Sequence, residues 1–319
     1  MEATIMATFV FGVDVGGTSV KMGLFSAQAA LLDKWEIPTR LEQDGAFILP
    51  DIAVSLRAAM ERHSLNAADI SGIGIAVPGA VDKAGVVHRC DNLGWGGVDV
   101  GEALKTLLPE IPRVIVCNDA NAAALGELWN GGGAGYESAV MFTLGTGVGG
   151  GIVIGGKIVN GANGGAGELG HVVVEADETE LCSCGKRGCL EQYASVNGIV
   201  RMAQKMLAAS DEPSALRNMD SFTARELCDL ARSGEYFACR VLDRFGEYMG
   251  RAMSSTAATV DPDIFVIGGG MSRAGSVILD AIAPYYRRYA YHVSVKTPIV
   301  LASLGNDAGI YGCAKMALS

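Results

Sequence analysis

The stretch "TFVFGVDVGGTSVKMGLF", residues 8–25, decides how the chain is read. Val10–Val15 is too short and too β-branched for a helix and reads as a buried strand. It carries Asp14 toward Gly16-Gly17, a turn that permits positive φ, and Lys21–Phe25 reads as a second strand. A hairpin with an acid, two glycines and a threonine at its mouth can offer N–H and hydroxyl groups to an anion without basic side chains.

The plan returns. "AVMFTLGTGVGGGIVIGGKIV", from Ala139, is again strand, glycine turn, strand, and "DIFVIGGGMSRAG" repeats the strand-to-turn unit after a long helical region from about Asn197 to Thr259. Between the two hairpins the sequence predicts a helix at about Phe47–Arg62, a strand in "ISGIGIAVPGAV", and a strand over Arg113–Cys117 followed by an alanine-rich helix. One supersecondary plan used twice predicts two α/β domains with a boundary near Asn118–Trp129, and the closing "NDAGIYGCAKMAL" helix is placed back on the first. The expected division is 1–118 plus about 305–319 as the smaller domain and 119–304 as the larger.

Two familiar readings of the glycines fail. "GTGVGG" at 145–150 matches a dinucleotide fingerprint, but that fingerprint must open a helix, and strand follows here. "GIVIGGKI" fails as a P-loop because Ile158 stands where Ser or Thr should hold magnesium.

The 319 residues can bury a sizeable core, and forty-three glycines imply many tight turns or close backbone approaches. A net charge of -10 argues against a nucleic-acid or membrane surface as partner. Residues 1–7 lack the pattern of a signal peptide, and no run is apolar for the roughly 20 residues of a bilayer span. A cytoplasmic protein with reduced cysteines is expected.

His171, Cys182, Cys184 and Cys189 spell H-x10-C-x-C-x4-C. Three thiolates and one imidazole complete a closed tetrahedral zinc site. The remaining cysteines, Cys90, Cys117, Cys228, Cys239 and Cys313, lie in apolar runs and read as core.

Taken together, the motifs resemble the ROK family of sugar kinases and repressors, within the hexokinase and actin-like ATPase superfamily. "DVGGT" at 14–18 matches the first phosphate motif, "TLGTGVGGG" at 143–151 the second, and "IFVIGGG" at 264–270 the adenosine motif. "NDANAAALGE" at 118–127, "GELGH" at 167–171, "CSCGKRGCLE" at 182–191 and "NDAGIYG" at 306–312 follow the family's order. With "DNLGW" at 91–95 the set most resembles bacterial ATP-dependent glucokinases, although Cys90-Asp91 replaces the small residue or proline common before "NLGW".

The resemblance implies an α/β, two-domain actin-like (ribonuclease H-like) fold with its active site in the interdomain cleft. It implies Asp119 as catalytic base toward the sugar 6-hydroxyl, in preference to the helix-cap role a lone Asp there would otherwise be given. It implies Asn92, Asn118, Asp119, Glu168, His171 and Glu191 as sugar ligands, and the four zinc ligands already named. ATP is assigned to Asp14, Gly16, Gly17, Thr18, Lys21, Gly145, Thr146, Gly147, Gly268, Gly269 and Gly270, with Mg2+ near Asp14. One nitrogen of His171 is expected on zinc and the other on a sugar hydroxyl. Closure on the sugar is expected to exclude water and to place hexose binding before tight ATP binding.

The expected reaction is transfer of the ATP γ-phosphoryl to glucose. N-acetylmannosamine, mannose, fructose or allose remain alternative acceptors and polyphosphate an alternative donor. A sugar-sensing repressor would carry a DNA-binding domain ahead of Asp14, where only 13 residues stand. A homodimer or homotetramer is implied by the family alone.

Overall fold

The computed structural model describes residues 9–319 apart from Lys83 and Arg89. The stretch read as lacking a signal peptide, residues 1–7, lies outside the described residues. Strand β1 (Phe9–Val15) turns at Gly16-Gly17 into β2 (Ser19–Ser26), and β3 (Leu31–Pro38) follows. Helix α1 (Ile48–Arg62) forms where Ile48, Ile52, Leu56 and Ala59 recur on one buried face. Then come β4 (Ile70–Val77), α2 (Val100–Leu107), β5 (Val114–Asn118) and α3 (Asp119–Asn130). The second hairpin is β6 (Ala139–Leu144) and β7 (Val148–Ile154), extended by the short β8 (Lys157–Ile158).

The short α4 (Glu191–Ala194) precedes the region expected to be helical, which holds three helices: α5 (Val196–Ala208), α6 (Ala224–Arg232) and α7 (Tyr236–Val260). Each boundary has a local cause. The Ser195 hydroxyl accepts from Gly198 N and starts α5, a reciprocal Thr223–Glu226 capping box starts α6, and Gly234 at φ 84° separates α6 from α7. Strand β9 (Ile264–Gly268), α8 (Ser276–Tyr289), β10 (Ile299–Leu301) and α9 (Ala308–Leu318) complete the chain.

Both principal sheets among the described residues have five strands, in the orders β3-β2-β1-β4-β5 and β8-β7-β6-β9-β10. Each therefore runs third, second, first, fourth, fifth strand in its own chain order, which is the duplicated plan seen in the sequence. Strands β1 and β4 are parallel, as are β4 and β5 in the first sheet, and β6 with β9 and β9 with β10 in the second.

By contact the chain divides into one unit of residues 1–135, 151–166 and 306–319 and another of 136–150 and 167–305. The expected boundary at Asp119 thus falls inside the first unit. The reason is α3, which packs on α9 so closely that a Cβ on Gly312 would stand 1.8 Å from Ala122 O. Helix α9 also lies on the first sheet, where Ile310, Ala314 and Ala317 bury against Val10 and Phe25. A Cβ on Gly74 of β4 would meet Cys313 O at 1.9 Å, so glycine is what lets helix and sheet backbones touch there. The sheet's other face packs Phe11, Val13, Met22 and Ile75 against Ile52 and Leu56 of α1. In the second unit, Phe265 joins Phe142 of the same sheet to Tyr286 of α8, with ring centroids 6.3 and 5.4 Å apart. No described helix is long and apolar enough to cross a membrane.

Candidate active site

In the first unit, β1 and β2 pair so that Asp14 lies opposite Lys21. Cross-strand partners project to the same face, which accounts for a lone lysine in an apolar strand. Its ammonium donates to Asn306 O at 3.3 Å, ahead of α9, and its charge draws the Asp14 carboxyl toward ionisation. Burial opposes this and dominates: together with the charge of Asp119 it raises the Asp14 pKa to about 6. The Gly16–Ser19 turn closes through Gly16 N to Ser19 O at 3.0 Å. Thr39, not singled out from the sequence, pins the turn by donating its hydroxyl to Gly16 O at 2.6 Å and its N–H to Thr18 O at 3.0 Å.

Strand β5 ends at Asn118 and α3 begins at Asp119. The cap is Asn118: its Oδ1 accepts from Ala120 N at 2.9 Å and Asn121 N at 3.1 Å. Its amide Nδ2 donates to Gly79 O at 3.0 Å and to Asp119 Oδ1 at 2.9 Å. The helix thus does not need Asp119 as its cap, and the neighbouring amide orients that carboxylate. Asn92 is exposed on the short helical turn Asp91–Leu93, its carbonyl 3.8 Å from where a Cβ of Gly17 would stand. Cys90 is buried and closes this loop with Trp95 through Cys90 N to Trp95 O at 2.8 Å and Trp95 N to Cys90 O at 3.1 Å.

In the second unit the turn Gly145–Gly147 closes through Gly145 N to Gly147 O at 2.9 Å, and Gly145 O accepts from Val196 N at the start of α5. Thr146 lies exposed at its tip. Glu191 faces the turn from α4: its Oε2 accepts from Val148 N at 3.0 Å, and a Cβ on Gly147 would stand 2.4 Å from that oxygen. A side chain at 147 would therefore displace the Glu191 carboxylate from its place against the turn. Oε1 of Glu191 accepts from the Ser183 hydroxyl at 2.6 Å and from the Cys182 thiol at 3.6 Å.

His171, Cys182, Cys184 and Cys189 come together with one ligand atom each, all within 4.8 Å of one another. Cys184 Sγ and Cys189 Sγ are 3.7 Å apart, as are Cys182 Sγ and His171 Nδ1. A tetrahedral ion with bonds of about 2.3 Å to sulfur needs ligand separations of about 3.8 Å; two pairs already stand at 3.7 Å and the whole set lies within 4.8 Å, so the donor set suits zinc and has only to tighten around it. Burial pushes the Cys189 thiol up to about 12, a cost that a bound cation offsets. With Nδ1 on the cluster side, His171 Nε2 stands 4.0 Å from Glu168 Oε2, bringing those two residues together on a short helical turn.

Gly268, Gly269 and Gly270 separate by role. A Cβ on Gly268 would strike Met141 at 2.4 Å, and one on Gly269, at φ 82°, would strike the Leu144 backbone at 2.5 Å. Gly270 faces open space and lines a cavity of about 580 Å³ with Met271, Val196, Thr223, Arg225 and Cys228. The α6 side of this cavity has no sequence signal beyond its capping box, so these residues escape a reading based on motifs.

The ROK family profile matches residues 10–319. The chain is 40% identical over 308 residues to a glucokinase of Halalkalibacterium halodurans, covering 94% of this chain and 92% of that protein. Its structure is similar to the ROK hexokinase of Thermus thermophilus, with a TM-score of 0.79, 30% identity and 97% of each chain covered. It is also similar to a ROK family glucokinase of Streptomyces griseus solved in complex with glucose and AMPPNP, with a TM-score of 0.73 and 33% identity over 97% of this chain and 98% of that one. The fold is that of the actin-like ATPases. Motif order, duplicated sheet topology and identity over nearly the whole length lead to one assignment: the chain belongs to the ROK family.

Proposed function

We propose that this protein is a glucokinase, transferring the γ-phosphoryl group of ATP to the 6-hydroxyl of glucose. The observation that carries this reading is the acidic pair behind the first glycine hairpin, Asp14 half-buried with Lys21 opposite it and Asp119 adding its charge. The similarity to glucokinases over nearly the full chain supports the same substrates.

In this reading Asp119 accepts the proton of the attacking hydroxyl. A carboxylate is a far weaker base than an alkoxide, so the proton moves as the phosphoryl group does and positioning supplies most of the rate. Asn118 contributes by fixing Asp119 Oδ1, and Asn92 and Asn118 are assigned to sugar hydroxyls. On the second unit Glu168, His171 and Glu191 are assigned to the sugar, with His171 holding zinc through Nδ1 and turning Nε2 outward. The Gly16–Thr18 and Gly145–Gly147 turns are assigned to the phosphates, and the cavity beside Gly270 to the nucleoside.

A hard cation suits oxygen donors of the kind Asp14 offers, and the elevated pKa of that half-buried group is what a neighbouring cation would relieve. Magnesium on the ATP phosphates would neutralise charge as it develops, and Asp14 would hold it. Zinc is assigned a structural role in the Cys182–Cys189 loop.

The test is turnover with Mg-ATP across glucose, mannose, fructose, allose and N-acetylmannosamine, with the phosphorylated carbon identified by NMR. Glucose 6-phosphate as the dominant product supports the proposal. Preference for another sugar, or no turnover on any, contradicts it.

A further inference from the structure

We propose that Ser183 is a positioning residue for the sugar site, acting through Glu191. The inference rests on the reading of Glu191 as a sugar ligand and adds a residue which that reading does not include. Ser183 lies between two of the cluster cysteines, Cys182 and Cys184, and its hydroxyl donates to Glu191 Oε1 at 2.6 Å, the length of a charge-assisted bond. The other oxygen, Oε2, is taken by Val148 N at 3.0 Å.

These two donors come from different parts of the chain, one from the metal loop and one from the second glycine hairpin, and each grips a different oxygen. A carboxylate has about four lone-pair directions. Fixing one on each oxygen sets the plane of the group and leaves the remaining acceptor directions defined before any ligand arrives. Without Ser183, Oε1 would keep only the long contact from the Cys182 thiol at 3.6 Å, whose proton is given up when the cluster holds a cation, and binding would have to order the group. Ser183 itself is exposed, so its side chain fills no core position and its removal opens no cavity.

The test measures glucose dissociation constants by calorimetry, and zinc content by elemental analysis, for the wild type, Ser183→Ala, Ser183→Thr, Glu191→Gln and the Ser183→Ala/Glu191→Gln double variant. Ser183→Ala is expected to keep its zinc and to weaken glucose binding about tenfold, in line with loss of a hydrogen bond to a charged group. Ser183→Thr, which retains the hydroxyl, is expected to restore binding to within about threefold of wild type. In the Glu191→Gln background the serine change is expected to add less than about twofold, because its path to the sugar is already cut.

Unchanged glucose binding in zinc-replete Ser183→Ala overturns the proposal, as do loss of zinc from that variant and a full, independent effect in the double variant. If Glu191→Gln alone leaves glucose binding unchanged, the sugar-ligand reading fails and the proposal falls with it, an outcome distinct from failure of Ser183→Ala alone.

Discussion

Asp14 sits against Gly309 so closely that a Cβ on the glycine would stand 2.5 Å from the aspartate's Oδ2. The half-buried carboxylate keeps its place because residue 309 has no side chain. Gly309→Ala is therefore expected to displace Asp14 and to lower kcat by about tenfold to a hundredfold, since small misplacements of catalytic groups carry penalties of this size. Glucose KM is expected to change by less than about threefold. Steady-state kinetics on the folded variant check this, and a wild-type kcat would contradict it.

Asp14 also links activity to pH. With a pKa of about 6 in the folded protein, the carboxylate is lost as pH falls through 6, so kcat/KM for Mg-ATP should decline below about pH 6.

The stability consequence has the opposite sense. The folded chain binds this proton more tightly than the unfolded chain, so the contribution of Asp14 is most favourable below about pH 4 and is lost as pH rises toward 6. A rise from 3.8 to about 6, at about 1.36 kcal/mol per pH unit, costs on the order of 3 kcal/mol at neutral pH. Asp14→Asn should accordingly raise the thermal midpoint at pH 7.5 while abolishing turnover, and a lowered midpoint would count against a carboxylate whose desolvation outweighs its attraction to Lys21.

Removal of the metal should act on sugar binding more than on chemistry. Chelation, or Cys184→Ser, is expected to raise glucose KM by about tenfold to a hundredfold, the range seen when metal-site support is lost, and to lower the thermal midpoint. ATP KM should move little. A zinc-free protein with wild-type glucose KM would separate the cluster from the sugar site.

The cavity beside Gly270 yields a complementary result. A Cβ at 270 meets nothing within 4 Å, and the residue borders the cavity, so Gly270→Phe is expected to fold and to direct its ring into the proposed nucleoside pocket. ATP KM should rise about tenfold or more with glucose KM unchanged, and an unaffected ATP KM would move the nucleoside elsewhere.

Much of this was legible in the sequence because it is local. The two glycine hairpins, the cysteine loop and the Asn118-Asp119 junction are each encoded within about twenty consecutive residues, and the structure keeps all of them. Strand β3 escaped because its inward side, Leu31, Asp33, Trp35 and Ile37, is only half-buried and interrupted by a charge, as suits an edge strand. Thr39 and the α6 wall of the Gly270 cavity escaped because folding brings them to the motifs from distant sequence. Lys21 acquired its explanation only through register, opposite Asp14.

The chemistry turns on Asp119 as the base. Asp119→Asn preserves size and hydrogen-bonding shape while removing the basic oxygen, so its kcat for glucose phosphorylation with Mg-ATP isolates the chemistry. A fall of about 10²- to 10⁴-fold is expected, the usual contribution of a general base, in a protein whose fold and metal content match the wild type. A kcat within tenfold of wild type would contradict it.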